Sequence, residues 1–125
     1  MQDTIFALSS GRPPAGIAVI RISGPQAFDI HQKFSGNPNF GEARRARVAA
    51  LRDPVGGHLI DRALTLYFVA PQSVTGENMV EWHCHGGRAV IDALLGALGD
   101  VAGAREAQPG EFTRRAFENG KIDLN

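Results

Sequence analysis

Cysteine is almost missing from this 125-residue sequence, where Cys84 stands alone. A single cysteine rules out an internal disulfide and suits a reducing compartment, so a cytoplasmic protein is expected. Net charge is missing too, because 13 Lys and Arg balance 13 Asp and Glu. No overall field draws such a chain to nucleic acid or to an anionic membrane, and any RNA contact needs a local patch or another part of the protein. No apolar run approaches bilayer-spanning length, and the opening MQDTIFALSS has no basic segment ahead of an apolar core. Nucleotide signatures are absent as well. Neither G-x-x-x-x-G-K-S/T nor G-x-G-x-x-G after a strand occurs, so no nucleoside triphosphate site is expected here. The G-x-S-x-G elbow of a nucleophilic triad is lacking.

What is present is a soluble globular composition, 43% hydrophobic and 21% charged, long enough for one domain with its own core. The most informative stretch runs from Thr75 to Gly87, TGENMVEWHCHGG. Val80, Trp82 and Cys84 alternate with Glu81, His83 and His85, the period of a strand with one apolar and one polar face. After Gly86-Gly87 the spacing of Ala89, Val90, Ala93, Leu94, Ala97 and Leu98 turns helical. The strand therefore hands its polar face to a helix N-terminus, where free N–H groups suit an anion or a polar ring.

Elsewhere Thr4–Leu8 reads as a short strand and Ser9–Ala15 as a Gly/Pro loop. Gly16–Ser23, GIAVIRIS, reads as a central strand apolar on both faces, interrupted by Arg21. Pro25 suits the first turn of a helix with Ala27, Phe28, Ile30, His31 and Phe34 on its apolar side. Glu42–Leu51 is ambiguous, since its alanines and arginines favour a helix while the following DPVGG turn favours a strand; the strand is preferred. Ile60–Val69 is a strand, Gly103–Ala107 a short edge strand, and Glu111–Glu118 a helix ended by Asn119-Gly120. The order β-β-α-β-β-β-α-β-α predicts an α+β fold. A mixed sheet with about three helices is expected, of ferredoxin-like, split β-α-β character.

Two polar constellations stand out. Arg21, in an otherwise apolar strand, demands an anionic partner, and Glu81 occupies an equivalent slot in its own strand. They form either a structural ion pair or the lining of a pocket in which Glu81 accepts paired hydrogen bonds from a ligand. Glu81, His83 and His85 share a strand face and invite a metal reading. Alternate residues lie about 6.5–7 Å apart, however, so Glu81 and His85 are about 13 Å from each other. One ion cannot reach all three without a bulge, although His83 and His85 could chelate with a ligand from elsewhere. Cys84 faces the core as a small buried hydrophobe.

Taken together, DTIFAL, GIAVIRISGPQAF, SVTGENMVE, HGG and above all PGEFTRRAFENGKIDL resemble the N-terminal domain of the bacterial tRNA modification GTPases, the MnmE or TrmE family. The last motif is long, and its polar and glycine choices have no generic folding explanation. Such a domain is similar to the tetrahydrofolate-binding domain of aminomethyltransferases, and the resemblance implies binding of 5-formyltetrahydrofolate and homodimerisation. In full length the family works with a flavoprotein partner of the MnmG or GidA type on C5 of the tRNA wobble uridine. Its GTPase domain, with GTP, magnesium and potassium, would lie outside this chain, which is expected to hold no complete catalytic site. Residues 1–120 would form the folate-binding and dimerisation domain, and Lys121–Asn125 would begin a helical domain. Carried over by motif, the folate contacts fall on Arg21, Glu81 and Lys121. The Ser9–Ala15 loop departs from the usual glycine-rich pattern, which puts contacts from it in doubt, and His83-Cys84 alters the residues before HGG. The rival readings are a free-standing folate-dependent aminomethyl transferase, a small metal module on His83 and His85, and a dimerisation module with a vestigial pocket.

Overall fold

The computed structural model describes residues 3–10 and 16–122. Nine elements follow in the predicted order: β1 (Thr4–Leu8), β2 (Ile17–Ser23), α1 (Ala27–Ser35), β3 (Arg47–Arg52), β4 (Leu59–Phe68), β5 (Met79–His85), α2 (Arg88–Gly99), β6 (Ala104–Glu106) and α3 (Glu111–Glu118). The strands form one six-stranded sheet in the order β3-β4-β5-β2-β1-β6. Every pairing is antiparallel except that of β1 with β6. The class is α+β, a mixed sheet with three helices among the described residues. No helix there is long and apolar enough to cross a membrane.

The ambiguous stretch resolves by pairing. Arg47–Arg52 is an edge strand hydrogen-bonded to β4, while the residues just before it turn, with Arg44 donating its N–H to the Tyr67 carbonyl. Alanine and arginine lean helical in isolation, and the ladder overrides that lean.

Helices α1 and α2 cover one face of the sheet. Phe6, Ala18, Ile20, Ile22, Val80, Trp82 and Cys84 meet Ala27, Ile30 and Phe34 of α1 and Ile91, Leu94 and Leu98 of α2 in one continuous core. The predicted apolar side of α1 is correct down to His31, which is 4% exposed. Its Nδ1 accepts the Trp82 indole N–H at 3.0 Å, a partner that a lone histidine on an apolar stripe needs. Gly24 marks where the chain passes closest to itself. At φ +140° it leaves room for Thr4, whose Cα would lie 2.7 Å from any added Cβ.

Burial pulls the His31 pKa down from 6.5 to about 4. The unfolded chain therefore takes up a proton at a pH where the folded one still refuses it. The stability contributed by neutral His31 is fully present above pH 6.5 and is lost as the pH falls through about 4. Urea midpoints of the wild type should thus decline across that interval. His31→Gln, whose amide oxygen can accept the same indole N–H, should flatten the decline. An equally steep profile in the variant would show that the slope comes from other groups.

Candidate functional site

The second face of the sheet is covered only in part. Cross-strand partners share a face, so the register sets out its rows. One row runs Ala7–Arg21–Glu81–Leu66, and the next brings Val19, His83, Leu64 and Val48 into line. Helix α3 lies against one end, where the Phe112 ring stands 5.7 Å from the Arg21 Cζ, a cation–π contact. Towards β3 the face is open, and Ile17, Val48 and Leu64 are exposed there by 62%, 63% and 43%.

Arg21 and Glu81 are directly opposite, as their matching slots implied. Nε and Nη2 of Arg21 both donate to Oε2 of Glu81, at 3.1 and 2.7 Å. Oε1 of Glu81 meets Nε2 of His83 at 3.2 Å. The side chains of Arg21 and Glu81 keep 22% and 14% of their surface in contact with solvent. The pair is therefore not sealed in the core, and the carboxylate, with about four acceptor positions, can take further donors from the open side.

The histidines separate. His83 turns to Glu81, whereas His85 bonds through Nδ1 to Oδ1 of Asp61 at 2.8 Å. Asp61 also accepts the backbone N–H of His85 at 2.9 Å, which fixes where β5 leaves β4. Among the described residues no three His, Cys, Asp or Glu side chains converge as a metal site. Nothing in the sequence marked Asp61 as that partner, because the contact spans 24 positions. Beyond β5, the N–H of Gly86 is committed to the Gly16 carbonyl, and α2 carries no acidic residue in its first turn.

Cys84 lies on the core face, 2% exposed, with its thiol directed at the Ala18 carbonyl. Burial pushes its pKa up to about 11, so the thiolate that reacts with disulfide reagents is scarce at neutral pH. An aromatic disulfide reagent at pH 8 should titrate almost no thiol in the native chain and one equivalent in denaturant. Full native reactivity would mean that β5 opens readily.

Lys121 follows α3. Its N–H closes onto the Ala116 carbonyl after α3, its side chain is exposed, and its Cγ packs beside Gly76. No side-chain hydrogen bond joins it to Arg21 or Glu81 among the described residues. Residues 11–15 of the rearranged loop, and residues 123–125 of the stretch assigned to a following domain, lie outside the described residues.

The long motif after Pro109 corrects an expectation, because its polar residues do have a folding explanation. Gly110 enters α3 at φ +75°. Glu111, 2% exposed, reaches back to the Gln108 N–H and is held by Arg105. Those contacts, the Arg105 bonds foremost, hold its carboxyl well down, from 4.5 to about 2. Arg115, 3% exposed, donates to the Asp3 carbonyl and carboxylate and to both oxygens of Glu77. Glu77 in turn accepts from Ser23, whose hydroxyl lies 2.7 Å from that of Thr75. Asn119 donates to the Thr75 carbonyl, and Gly76, at φ +81°, leaves no space for a Cβ beside it. One buried ionic network thus locks α3, β1 and the segment before β5 together. No sequence period announces it, since its members are up to 112 positions apart.

Comparison with known proteins places the chain in a family. The family model described as GTP-binding protein TrmE N-terminus matches residues 4–121. A tRNA modification GTPase MnmE of Rhizorhabdus wittichii is 58% identical over 124 residues, covering 99% of this chain and 28% of that protein. Its counterpart in Novosphingobium aromaticivorans is 55% identical over 124 residues, with the same coverage. That of Rhodopseudomonas palustris is 52% identical over 123 residues, covering 98% of this chain and 27% of the relative. The chain spans little more than a quarter of the length of these relatives. With the family model matched over nearly its whole length, the chain belongs to the TrmE N-terminus family, the N-terminal domain of the tRNA modification GTPases.

Proposed function

We propose that this domain binds a reduced folate, 5-formyltetrahydrofolate, on the open face of its sheet, with Glu81 as the anchor. The observation that carries the reading is the Glu81 carboxylate. It is held through Oε2 by Arg21, touched at Oε1, among the described residues, only by His83, and part-exposed to solvent. A pterin offers a 2-amino group and an N3–H side by side, and a carboxylate accepts such an edge with two charge-assisted hydrogen bonds. His83 yields Oε1 to the ligand, and Arg21, backed by Phe112, keeps the carboxylate aimed. Apolar neighbours on the same face, Leu64, Leu66 and Val19, suit a flat ring. The residues present fit the group. Lys121, at the exposed exit of α3, serves the folate's carboxylates.

The same exposed row of Ile17, Val48 and Leu64 favours a second copy of the chain against this face, giving a homodimer. In the longer protein, residues 121–125 lead into a helical domain that follows the folate domain of residues 1–120. There the bound one-carbon unit serves modification of C5 of the tRNA wobble uridine, together with a flavoprotein partner, in the cytoplasm. GTP hydrolysis with magnesium and potassium belongs to the part outside this chain.

Calorimetric titration of the 125-residue chain with 5-formyltetrahydrofolate, repeated with a chelator, tests the reading. Saturable binding that the chelator leaves unchanged is expected. Binding abolished by chelator, with metal copurifying, would replace the folate by an ion on His83 and His85.

A further inference from the structure

The helix-covered side of the sheet holds a second polar cavity, on the opposite side of β5 from Glu81. It has a volume of about 180 Å³ and lies between α1, β3 and the loop joining them. That is well above the ~10–15 Å³ that a single water needs. His31 lines it, edge-to-face with Phe40 at 4.7 Å. Because Nδ1 of His31 accepts the Trp82 indole N–H, the neutral ring carries its proton on Nε2. Among the described residues Nε2 has no hydrogen-bond partner, yet no fully enclosed side-chain nitrogen or oxygen lacks one. Nε2–H therefore opens to the surface, and the cavity that His31 lines is where it does.

The other polar side chains around the cavity are partly engaged within the loop itself. Oδ1 of Asn37 takes the Asn39 N–H at 2.9 Å, and Oδ1 of Asn39 takes the Gly41 N–H at 3.0 Å. Ser35 Oγ accepts the Asn37 N–H at 3.3 Å. Nη1 of Arg47 is held by the Asn39 carbonyl at 3.0 Å, and among the described residues Nε and Nη2 of the guanidinium make no hydrogen bond. Among the described residues the lining thus carries no acidic side chain, and beside partly used acceptors it offers a set of donors, the His31 Nε2–H and the cationic Arg47 guanidinium. Only a ligand rich in acceptors satisfies such a set, and the positive charge favours an anion.

We propose that this cavity is a binding site for a phosphate group, carried either by a small metabolite or by a nucleic-acid backbone. It is independent of the folate reading, which concerns the other face of the sheet. Arg44 and Arg45, both exposed, precede Arg47 and add positive charge at the same end of β3. The run Arg44–Arg52 holds four arginines, of which Arg45 is paired with Glu42 at 3.1 Å, in a chain whose total charge is zero. That is the local patch a neutral protein needs if it is to meet a polyanion.

The indole N–H of Trp82, the sole tryptophan, reports on the site through its bond to His31. The 125-residue chain is titrated with inorganic phosphate against chloride at matched ionic strength, following that resonance and the His31 ring by NMR. A saturable shift with phosphate and none with chloride is expected. Arg47→Gln, at an exposed position, should weaken it at least about tenfold, whereas Glu81→Gln should leave it unchanged. A short RNA hairpin giving the same shifts at lower concentration, and losing them in Arg47→Gln, assigns the phosphate to a polynucleotide. Response to inorganic phosphate alone assigns it to a small molecule. Absence of any saturable shift, or an unaltered midpoint in Arg47→Gln, overturns the proposal.

Discussion

Arg115→Met should cost the domain about 3–5 kcal/mol of stability, the usual penalty for removing one partner of a buried ion pair. Arg115 is 3% exposed and is the hub on which Asp3, Glu77 and Glu111 converge. Glu111 would keep Arg105, but Glu77 would lose its only cation among the described residues while remaining 12% exposed. Whole domains are stable by about 5–15 kcal/mol, so the loss is a large share of the total. In urea, where small domains lose about 1–3 kcal/mol per molar, the midpoint should fall by more than 1 M. A fall worth under about 1 kcal/mol would mean that solvent replaces the guanidinium and that the network is not what fastens α3. The same network predicts acid sensitivity. Glu111 is depressed to about 2 from 4.5. The stability it contributes is therefore present above pH 4.5 and is lost as the pH falls through about 2.

Glu81→Gln should leave the fold in place and remove folate binding. The side chain keeps its shape, and its amide oxygen still accepts from Arg21, so the guanidinium is not left without a partner. Binding is another matter. The amide has one acceptor end where the carboxylate has two, and it lacks the charge. Hydrogen bonds to charged groups are worth about 1.5–3 kcal/mol each, so losing one outright, with the charge that strengthens the other, weakens affinity by about a hundredfold. Arg21→Ala should weaken it less, since it frees the carboxylate without deleting it. Wild-type affinity in Glu81→Gln would remove Glu81 from the site. A variant that fails to fold would make the pair structural.

The two predictions concern residues that stood very differently in the sequence. Glu81 and Arg21 were legible because each is a polar exception in an otherwise patterned strand, and burying a guanidinium demands an anion. Their direct opposition was not, because the β2–β5 register brings together residues 60 positions apart. Arg115 and Glu111 gave no such hint. On an amphipathic eight-residue helix they read as ordinary polar positions, and only the packing of α3 against β1 and Glu77 buries them. Local order was easier. The period-2 alternation of β5 and the helical spacing of α1 predicted which side chains enter the core, His31 and Cys84 included, whereas on α2 the spacing found Leu94 and Leu98 but missed Ile91 and named Ala89 and Ala93, which stay exposed. The stretch before β3 was hard because alanine and arginine carry no β signal, and its strand exists only through β4. Phe112 beneath Arg21 was invisible for the same reason.

The resemblance in motifs and the residue reading converge on one carboxylate, and that convergence can be tested at atomic distance. The decisive measurement is a crystal structure of the chain with 5-formyltetrahydrofolate. The account predicts the pterin lying on the open face, with its 2-amino and N3–H groups about 2.7–3.1 Å from the two oxygens of Glu81 and His83 displaced from Oε1. A pterin bound elsewhere, with Glu81 still held between Arg21 and His83, would contradict it.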